Sequence, residues 1–150
     1  MTIAVDFDGT IVEHEYPKIG KPIPYAFEVL RKLLLEENHK LILWTMREGQ
    51  LLDEAVEYCE KNGIYFYACN KNYPEEKVED GCPRKLGADL FIDDRNVGGM
   101  LDWGTIYKMI TNRYYLAQHI DNQFNDVRVT EYGNWFTRMR EEWQKAKKRR

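Results

Sequence analysis

Two acidic residues near the start of the chain lie two positions apart, directly after a short apolar run. Asp6 and Asp8 follow the segment Ile3-Ala4-Val5, and Gly9 and Thr10 come next. Residues two apart on an extended segment project to the same side, so both carboxylates can face one substrate. One carboxylate can then attack while the other handles a proton. The spacing predicts nucleophilic and acid–base chemistry here, with Asp6 and Asp8 as the candidate catalytic residues.

A second acidic pair follows a later apolar run. Asp93 and Asp94 come directly after Leu90-Phe91-Ile92. Ligands of open α/β sheets bind beyond the carboxyl ends of the strands, so we expect both acidic pairs at one crevice. Carboxylates that converge cannot all stay ionised without a cation, and oxygen ligands favour Mg²⁺ over zinc. We therefore predict a Mg²⁺ site whose candidate ligands are Asp6, Asp8, Asp93 and Asp94.

Several residues at these strand ends are suited to a phosphate group. Gly9 permits a sharp turn that can aim backbone N–H groups at an anion. The segment after Leu41-Ile42-Leu43-Trp44 precedes a helix, where N–H groups also favour anionic oxygens. A lysine adds the positive charge that a phosphate beside an acidic cluster needs. The candidate phosphate-binding residues are Gly9, Thr10, Thr45, Met46, Arg47 and Lys85.

Continuous apolar runs alternate with amphipathic segments along the first two thirds of the chain. The runs at 3–5, 41–44, 64–67 and 90–92 are typical of parallel strands buried on both faces. Apolar residues at helical spacing predict helices over 24–38 and 50–62, the second ended by Asn62-Gly63. This alternation predicts a Rossmann-like, three-layer α/β/α fold with a mainly parallel sheet.

The last third of the chain has no strand pattern. Apolar spacing predicts helices near 104–120 and 132–147, the latter carrying Trp135 and Trp143. We expect a single domain over 1–150, with its core in about 1–103 and a C-terminal helical extension in about 104–150. The aromatic stripe of this extension is either core packing or a lid or dimer face.

The segment Asp6-Phe7-Asp8-Gly9-Thr10, then Thr45, then Lys85 and then Asp93-Asp94, in this order along the chain, resemble the four ordered motifs of the haloacid dehalogenase superfamily of phosphohydrolases. The resemblance covers residues 1 to about 103, and the extension resembles no family that we can name. It implies a phosphatase that works through an aspartyl-phosphate, with Asp6 as the nucleophile and Asp8 as the proton donor and later the base. It also implies that the strand before Asp93 lies beside the first strand.

The resemblance further implies individual ligand roles. The metal would be held by Asp6, the backbone carbonyl of Asp8, and Asp93, with Asp94 in direct or water-mediated contact. Thr45 and Lys85 would hold the transferring phosphoryl group and stabilise its charge.

Members of this superfamily often owe substrate choice to an inserted cap domain, and both insertion points are short here. The stretch from Thr10 to Pro24 has room only for a turn and a small flap, and Thr45 to Lys85 must already hold a helix and a strand. We thus expect a capless enzyme. Its substrate is a small phosphorylated metabolite or nucleotide; the alternatives are a nucleic-acid end or another macromolecule, or a phosphate-binding regulatory protein without turnover.

Four residues near the expected site have two interpretations each. Arg47 contacts either substrate or a surface Glu such as Glu48. Arg95 and Asn96 either orient the acidic pair or form a turn before two glycines. His14 either lies at the site mouth with a function or is an ordinary loop histidine.

Composition excludes several broad classes. The chain has 43% apolar and 31% charged residues, which is typical of a soluble globular protein, and its net charge of −3 does not by itself predict nucleic-acid or membrane binding. Residues 138–150 carry seven basic side chains against two acidic ones, so nucleic acid stays a possible but secondary partner. The cysteines Cys59, Cys69 and Cys82 have no paired spacing and predict free thiols in a cytoplasmic protein.

Overall fold

The computed structural model describes residues 1–77 and 85–112 of the 150-residue chain. The chain divides into two compact units, Met1–Tyr107 and Lys108–Arg150, and the second is described only as far as residue 112. The predicted helix over 132–147 and the basic segment 138–150 lie outside the described residues.

In residues 1–77 and 85–107 the first unit contains four parallel strands. They are β1 (Thr2–Val5), β2 (Lys40–Leu43), β3 (Ala68–Cys69) and β4 (Leu90–Ile92), in the order β3-β2-β1-β4. The helices are α1 (Ala26–Leu35), α2 (Gly49–Lys61) and α3 (Trp103–Thr111). The α/β class and the parallel sheet are confirmed. The order also sets β4 beside β1, the neighbour that the resemblance implies for it.

Central strands β1 and β2 are buried on both faces, as predicted. Ile3 to Val5 and Leu41 to Leu43 are each at most 1% exposed. On one face Ala4 and Ile42 pack with Leu86, Trp44 and Ala88. β4 is different because it lies at the sheet edge, where Leu90 is 38% and Phe91 36% exposed. The prediction of burial on both faces is therefore wrong for this strand.

The third strand begins four residues later than predicted. The run 64–67 was expected to be a strand, but Ile64 donates its N–H to the Cys59 carbonyl and Gly63 donates to Glu60, which closes the end of α2. Gly63 has φ +80°, so this is the glycine-based helix ending that Asn62-Gly63 predicts. Pairing with β2 can start only beyond this cap, and Ala68 and Cys69 form the strand.

The predicted helices near 24–38 and 50–62 are confirmed, with slightly shorter bounds for the first. They contact each other through Phe27 and Tyr58, whose ring centroids are 5.9 Å apart. The helix predicted near 104–120 begins at Trp103 and is described to Thr111. Asp102 caps it, since its carboxylate accepts hydrogen bonds from the N–H and the hydroxyl of Thr105.

A small flap follows β1, as the short interval between Thr10 and Pro24 predicts. We define the flap as residues 11–23. Its two arms are joined by the N–H of Glu13 bonding to the Lys21 carbonyl at 2.7 Å and that of Ile23 to the Ile11 carbonyl at 2.9 Å. Within the described ranges, no helix is long and apolar enough to cross a membrane.

Candidate functional site

A cleft of about 810 Å³ lies at the carboxyl ends of the strands, where the sequence predicts the site. Five of the predicted site residues line it: Asp6, Asp8, Thr45, Met46 and Asp93. The remaining lining residues come from the flap, the segment after β2, the loop after β3 and the segments before and after β4: His14, Tyr16, Trp44, Glu48, Asn70, Asn72, Glu76, Lys77, Leu86 and Arg95. The sheet thus gathers residues that are far apart in sequence.

Three carboxylates form a compact group that we call the acidic triad: Asp6, Asp93 and Asp94. Each offers an oxygen, and these oxygens all lie within 4.8 Å of one another. Two neighbouring strands position them, because the Asp6 N–H donates to the Ile92 carbonyl at 2.9 Å where β1 and β4 end. Asp94 Oδ1 is buried and has no hydrogen-bond partner among the described residues. A buried, unpartnered carboxylate oxygen of this kind calls for a cation.

Electrostatics of the triad point the same way. Burial raises the pKa of Asp6 to about 6, and repulsion from Asp93 and Asp94 adds to this, whereas hydrogen bonds from the Phe7 N–H and the Thr10 hydroxyl oppose it. The charged form of Asp6 is therefore disfavoured until a positive partner is present.

Thr10 connects the members of the triad. Its hydroxyl donates to Asp6 Oδ2 at 3.2 Å and accepts from the Asp94 N–H at 3.0 Å. Its carbonyl accepts from Trp103 Nε1 at 3.0 Å, and Thr10 itself is fully buried. The prediction that Thr10 binds phosphate is corrected, because its buried hydroxyl already bonds to the Asp6 carboxylate and the Asp94 backbone N–H.

Gly9 also has a different role from the one predicted. Its N–H donates to the Val12 carbonyl at 2.7 Å and so does not point to an anion. Its φ is +92°, and a Cβ built on it would overlap the carboxylate of Asp94. Glycine is required here because the turn after β1 passes against the triad.

Asp8 lies apart from the triad in a buried ion pair. Arg47 Nε donates to Asp8 Oδ2 at 2.7 Å and Arg47 Nη2 donates to Oδ1 at 2.7 Å, a two-pronged geometry that is strong and directional. The arginine is fully buried, and its remaining bonds go to the carbonyls of Pro17 and Lys18 in the flap, at 2.9 and 2.8 Å. Arg47 therefore fixes both the catalytic candidate Asp8 and the flap.

Both interpretations of Arg47 are wrong. Its partner is neither substrate nor Glu48, since its guanidinium is enclosed between Asp8, the flap carbonyls and two aromatic rings. Its Cζ lies 5.1 Å from the ring centroid of Phe7 and 5.4 Å from that of Tyr16. A partner 39 positions away leaves no local pattern in the sequence, which is why the pairing could not be predicted.

The strand end at Thr45 is held open towards the cleft. The Thr45 N–H donates to Asn70 Oδ1 at 2.8 Å, and its hydroxyl accepts from the Arg47 N–H at 3.2 Å. Asn70, which has φ +53°, follows β3 and so links two strand ends. Met46 is 82% exposed and also lines the cleft. Thr45 and Met46 therefore remain available to a ligand.

Lys85 is not brought to the cleft. It is exposed and is not among the lining residues, whereas Lys77, which the sequence reasoning missed, does line the cleft. Asn72 joins the two segments, because its side-chain oxygen accepts from the Gly87 N–H at 2.6 Å and its amide donates to Glu76 at 2.7 Å. Only the position of Lys77 in the loop after β3 could have suggested it.

Of the other three residues with two interpretations, two line the cleft and one forms a turn beside it. His14 and Arg95 line the cleft. Asn96 instead donates its amide to the Asp93 carbonyl at 2.8 Å, and the Arg95 N–H donates to Asp93 Oδ1 at 2.8 Å, so this turn orients the acidic pair. Asn96 therefore both forms a turn and orients the acidic pair.

Two cysteines are described, and both are free thiols as predicted. Burial raises the pKa of Cys59 to about 12, so this thiol stays protonated. Cys82 lies outside the described residues.

Comparison with known proteins places the chain in a family. A solved structure of a conserved protein from Bacteroides thetaiotaomicron is 66% identical to this chain, covers 75% of it and is itself covered over 91% of its length, with a TM-score of 0.70. The chain belongs to the same family as that protein. No family model and no curated protein matches it.

Proposed function

We propose that this protein is a Mg²⁺-dependent phosphatase of the haloacid dehalogenase type that works through an aspartyl-phosphate on Asp6. The observation that carries the proposal is the acidic triad, with its oxygens within 4.8 Å and a buried, unpartnered oxygen on Asp94. A cleft lined by Thr45 and Met46 adjoins it. The α/β architecture and the position of β4 beside β1 support the same family assignment.

The residues present fit a divalent cation. All the donors of the triad are carboxylate oxygens, which Mg²⁺ prefers, and the unpartnered Asp94 oxygen is the kind of group that a cation satisfies. Asp6, Asp93 and Asp94 would hold the ion, together with the backbone carbonyl of Asp8. When bound, Mg²⁺ supplies positive charge that keeps Asp6 ionised and balances the charge of a phosphoryl group.

The first chemical step belongs to Asp6. A carboxylate oxygen of Asp6 attacks phosphorus and forms a P–O bond, while the P–O bond to the leaving group breaks. The leaving oxygen takes a proton that reaches it from solvent through Asp8, which is a carboxylate in its ion pair with Arg47 before and after the transfer. Thr10 supports this step because its hydroxyl donates to Asp6 Oδ2 and so orients the carboxylate.

The second step returns both residues to their starting state. Asp8 takes a proton from water as that water attacks phosphorus and passes it to solvent, and the P–O bond to Asp6 breaks to release inorganic phosphate. A carboxylate has about four acceptor sites, and the two hydrogen bonds from Arg47 leave others for this proton. Arg47 thus orients the Asp8 carboxylate and leaves it able to accept further hydrogen bonds.

The transferring group also needs contacts on the side opposite the triad. Thr45 and Met46 line the cleft at the end of β2, and the helix that follows begins at Gly49. The lysine role that the resemblance assigns to Lys85 falls on an exposed residue, and Lys77 is the lysine that lines the cleft in the described part of the chain. We propose that Lys77 contributes the positive charge there.

Hydrolysis of p-nitrophenyl phosphate by the wild type, with and without Mg²⁺, tests this proposal beside the Asp6→Asn variant. Release that requires Mg²⁺ and disappears in Asp6→Asn is expected. The exposed α2 variant Asp53→Asn serves as the matched control, since it removes one carboxylate outside the cleft. Full activity in Asp6→Asn would remove Asp6 as the nucleophile.

A further inference from the structure

Three ring side chains line the cleft, and the proposed chemistry of the acidic triad does not use them. They are His14, Tyr16 and Trp44. Tyr16 is 52% exposed in the flap. Exposed aromatic surface beside a reaction centre is suited to recognition of the substrate, because rings bind planar groups by stacking.

Tyr16 is held in place by a charged group behind it. Arg47 Cζ lies 5.4 Å from its ring centroid and 5.1 Å from that of Phe7, so the guanidinium lies against both rings. The guanidinium cannot move away, since it is fully buried and is bound to Asp8 and to two flap carbonyls. The exposed surface of Tyr16 therefore belongs to a ring fixed by a cation–π contact.

Trp44 is fixed from a different direction. It packs against the cluster of Ala4, Ile42 and Leu86 on one face of the sheet, and it also lines the cleft. The cleft thus contains two rings that are positioned before any ligand binds. Rings positioned in advance lose little conformational entropy on binding.

The shared guanidinium also places Tyr16 relative to the chemistry. Arg47 contacts Asp8 and the Tyr16 ring together, and Asp8 is the group proposed to protonate the leaving oxygen. Protonation by Asp8 would thus set the departing part of the substrate near the Tyr16 ring. A cleft of about 810 Å³ has room for far more than a phosphate group and is in the range of sites for whole small molecules.

We propose that the Tyr16 ring, held in place by Arg47, stacks on a planar ring in the leaving group. The preferred substrates are then nucleoside monophosphates rather than phosphorylated sugars. This inference rests on the proposed phosphatase function. Stacking on Tyr16 recognises the ring of any base, which predicts a preference for a base over no base and weak discrimination among bases.

Turnover of matched substrates tests the inference first. Each of the four ribonucleoside 5′-monophosphates is compared with ribose 5-phosphate, which has the same ester but no base. The wild type should have a kcat/KM about tenfold higher for the nucleotides. Tyr16→Leu should reduce this ratio towards one, whereas Tyr16→Phe, which keeps the ring, should preserve it.

Tyr67→Leu is the control variant. Tyr67 is also a partly exposed tyrosine beside a cation, with Lys40 Nζ 4.5 Å from its centroid, but it does not line the cleft. Its substitution should leave the substrate ratio unchanged. An equal fall for nucleotides and ribose 5-phosphate in Tyr16→Leu would overturn the proposal, because it would show a structural role only.

Binding without turnover separates this inference from the proposed function. Calorimetric titration of adenosine 5′-monophosphate and ribose 5-phosphate into Asp6→Asn, with and without Tyr16→Leu, should give a Kd about tenfold lower for the nucleotide only when Tyr16 is present. If nothing is hydrolysed but this difference is found, the phosphatase proposal fails and the ring subsite stands. If hydrolysis is found but both affinities are equal, the ring subsite fails and the phosphatase proposal stands.

Discussion

Asp6 and Asp8 are separated by one residue, yet the structure gives them opposite surroundings. Asp6 joins Asp93 and Asp94 in a group of three carboxylates, and burial and repulsion raise its pKa to about 6. Asp8 is in a buried ion pair with Arg47, with both of its oxygens bonded at 2.7 Å. Among the described residues no cation pairs with Asp6, whereas Asp8 has a permanent cation in Arg47.

Two carboxylates in one turn can therefore serve different chemical roles. Environments that separate the behaviour of two neighbouring carboxylates are a common basis for assigning a nucleophile and an acid–base group. Under the proposed function, a bound Mg²⁺ would supply the positive charge on the Asp6 side. The Asp8 side carries its own cation, which also binds the flap.

The largest effect is expected from removing the permanent cation. Arg47→Met leaves Asp8 buried without its partner, which should lower the free energy of unfolding by about 3–5 kcal/mol. Urea denaturation measures this. Combining Arg47→Met with Asp8→Asn should recover part of the loss, because the uncompensated charge is gone. A double variant no more stable than Arg47→Met would mean that the unpaired charge of Asp8 does not cause the loss.

A smaller effect is expected where the turn meets the triad. Gly9→Ala should be destabilising on two grounds, the strain of φ +92° and the overlap with Asp94. Gly98 has φ +97° with nothing near a built Cβ, so Gly98→Ala carries the strain alone, about 1–2 kcal/mol. The two losses in free energy of unfolding should differ by about 1–3 kcal/mol, and this difference is the cost of the close contact with Asp94. Equal losses in urea denaturation would mean that the Asp94 contact is not rigid.

The smallest effect concerns Asp6 without metal. Since its pKa of about 6 is above the usual 3.8, the folded state binds more protons than the unfolded state between those values, and stability falls as pH rises through that window. In the presence of a chelator, Asp6→Asn should thus be more stable than the wild type by about 1–2 kcal/mol at pH 7.5, partial exposure included. Below about pH 4 the two should be equal.

Mg²⁺ sharpens this prediction. At pH 7.5 the ion should raise the melting temperature of the wild type but not that of Asp6→Asn, because ligands that bind only the folded state stabilise it. The gain should decline as pH falls below about 6, where Asp6 takes up a proton. Lower stability of Asp6→Asn than of the wild type at pH 7.5 without metal would contradict the account.

Elements with strong local patterns could be predicted from the sequence. The central strands, α1 and α2 have continuous or periodic apolar residues, and their positions are confirmed within a few residues. The third strand was misplaced because Ile64 is apolar for a different reason, the closing of α2. Exposure of Phe91 in β4 depends on strand order, which local patterns do not contain.

The candidate site divides in the same way. The acidic residues follow their strands, so their convergence could be expected from the general geometry of parallel sheets. The contacts of Arg47, Thr10 and Gly9 could not, because each depends on partners that only the folded chain brings near. Lys85 matches a motif by its order in the sequence, yet in the described part of the chain Lys77 is the lysine that lines the cleft.

Trapping with beryllium fluoride is the most direct test of phosphoryl transfer to Asp6, because this anion mimics a phosphoryl group on an aspartate. Fluorine NMR of the wild type with beryllium, fluoride and Mg²⁺ should show a protein-bound resonance that requires Mg²⁺. The resonance should persist in Asp53→Asn, whose change lies outside the cleft, and should be absent in Asp6→Asn. A bound resonance in Asp6→Asn, or one that does not depend on Mg²⁺, would contradict the assignment of Asp6 and the acidic triad to phosphoryl transfer.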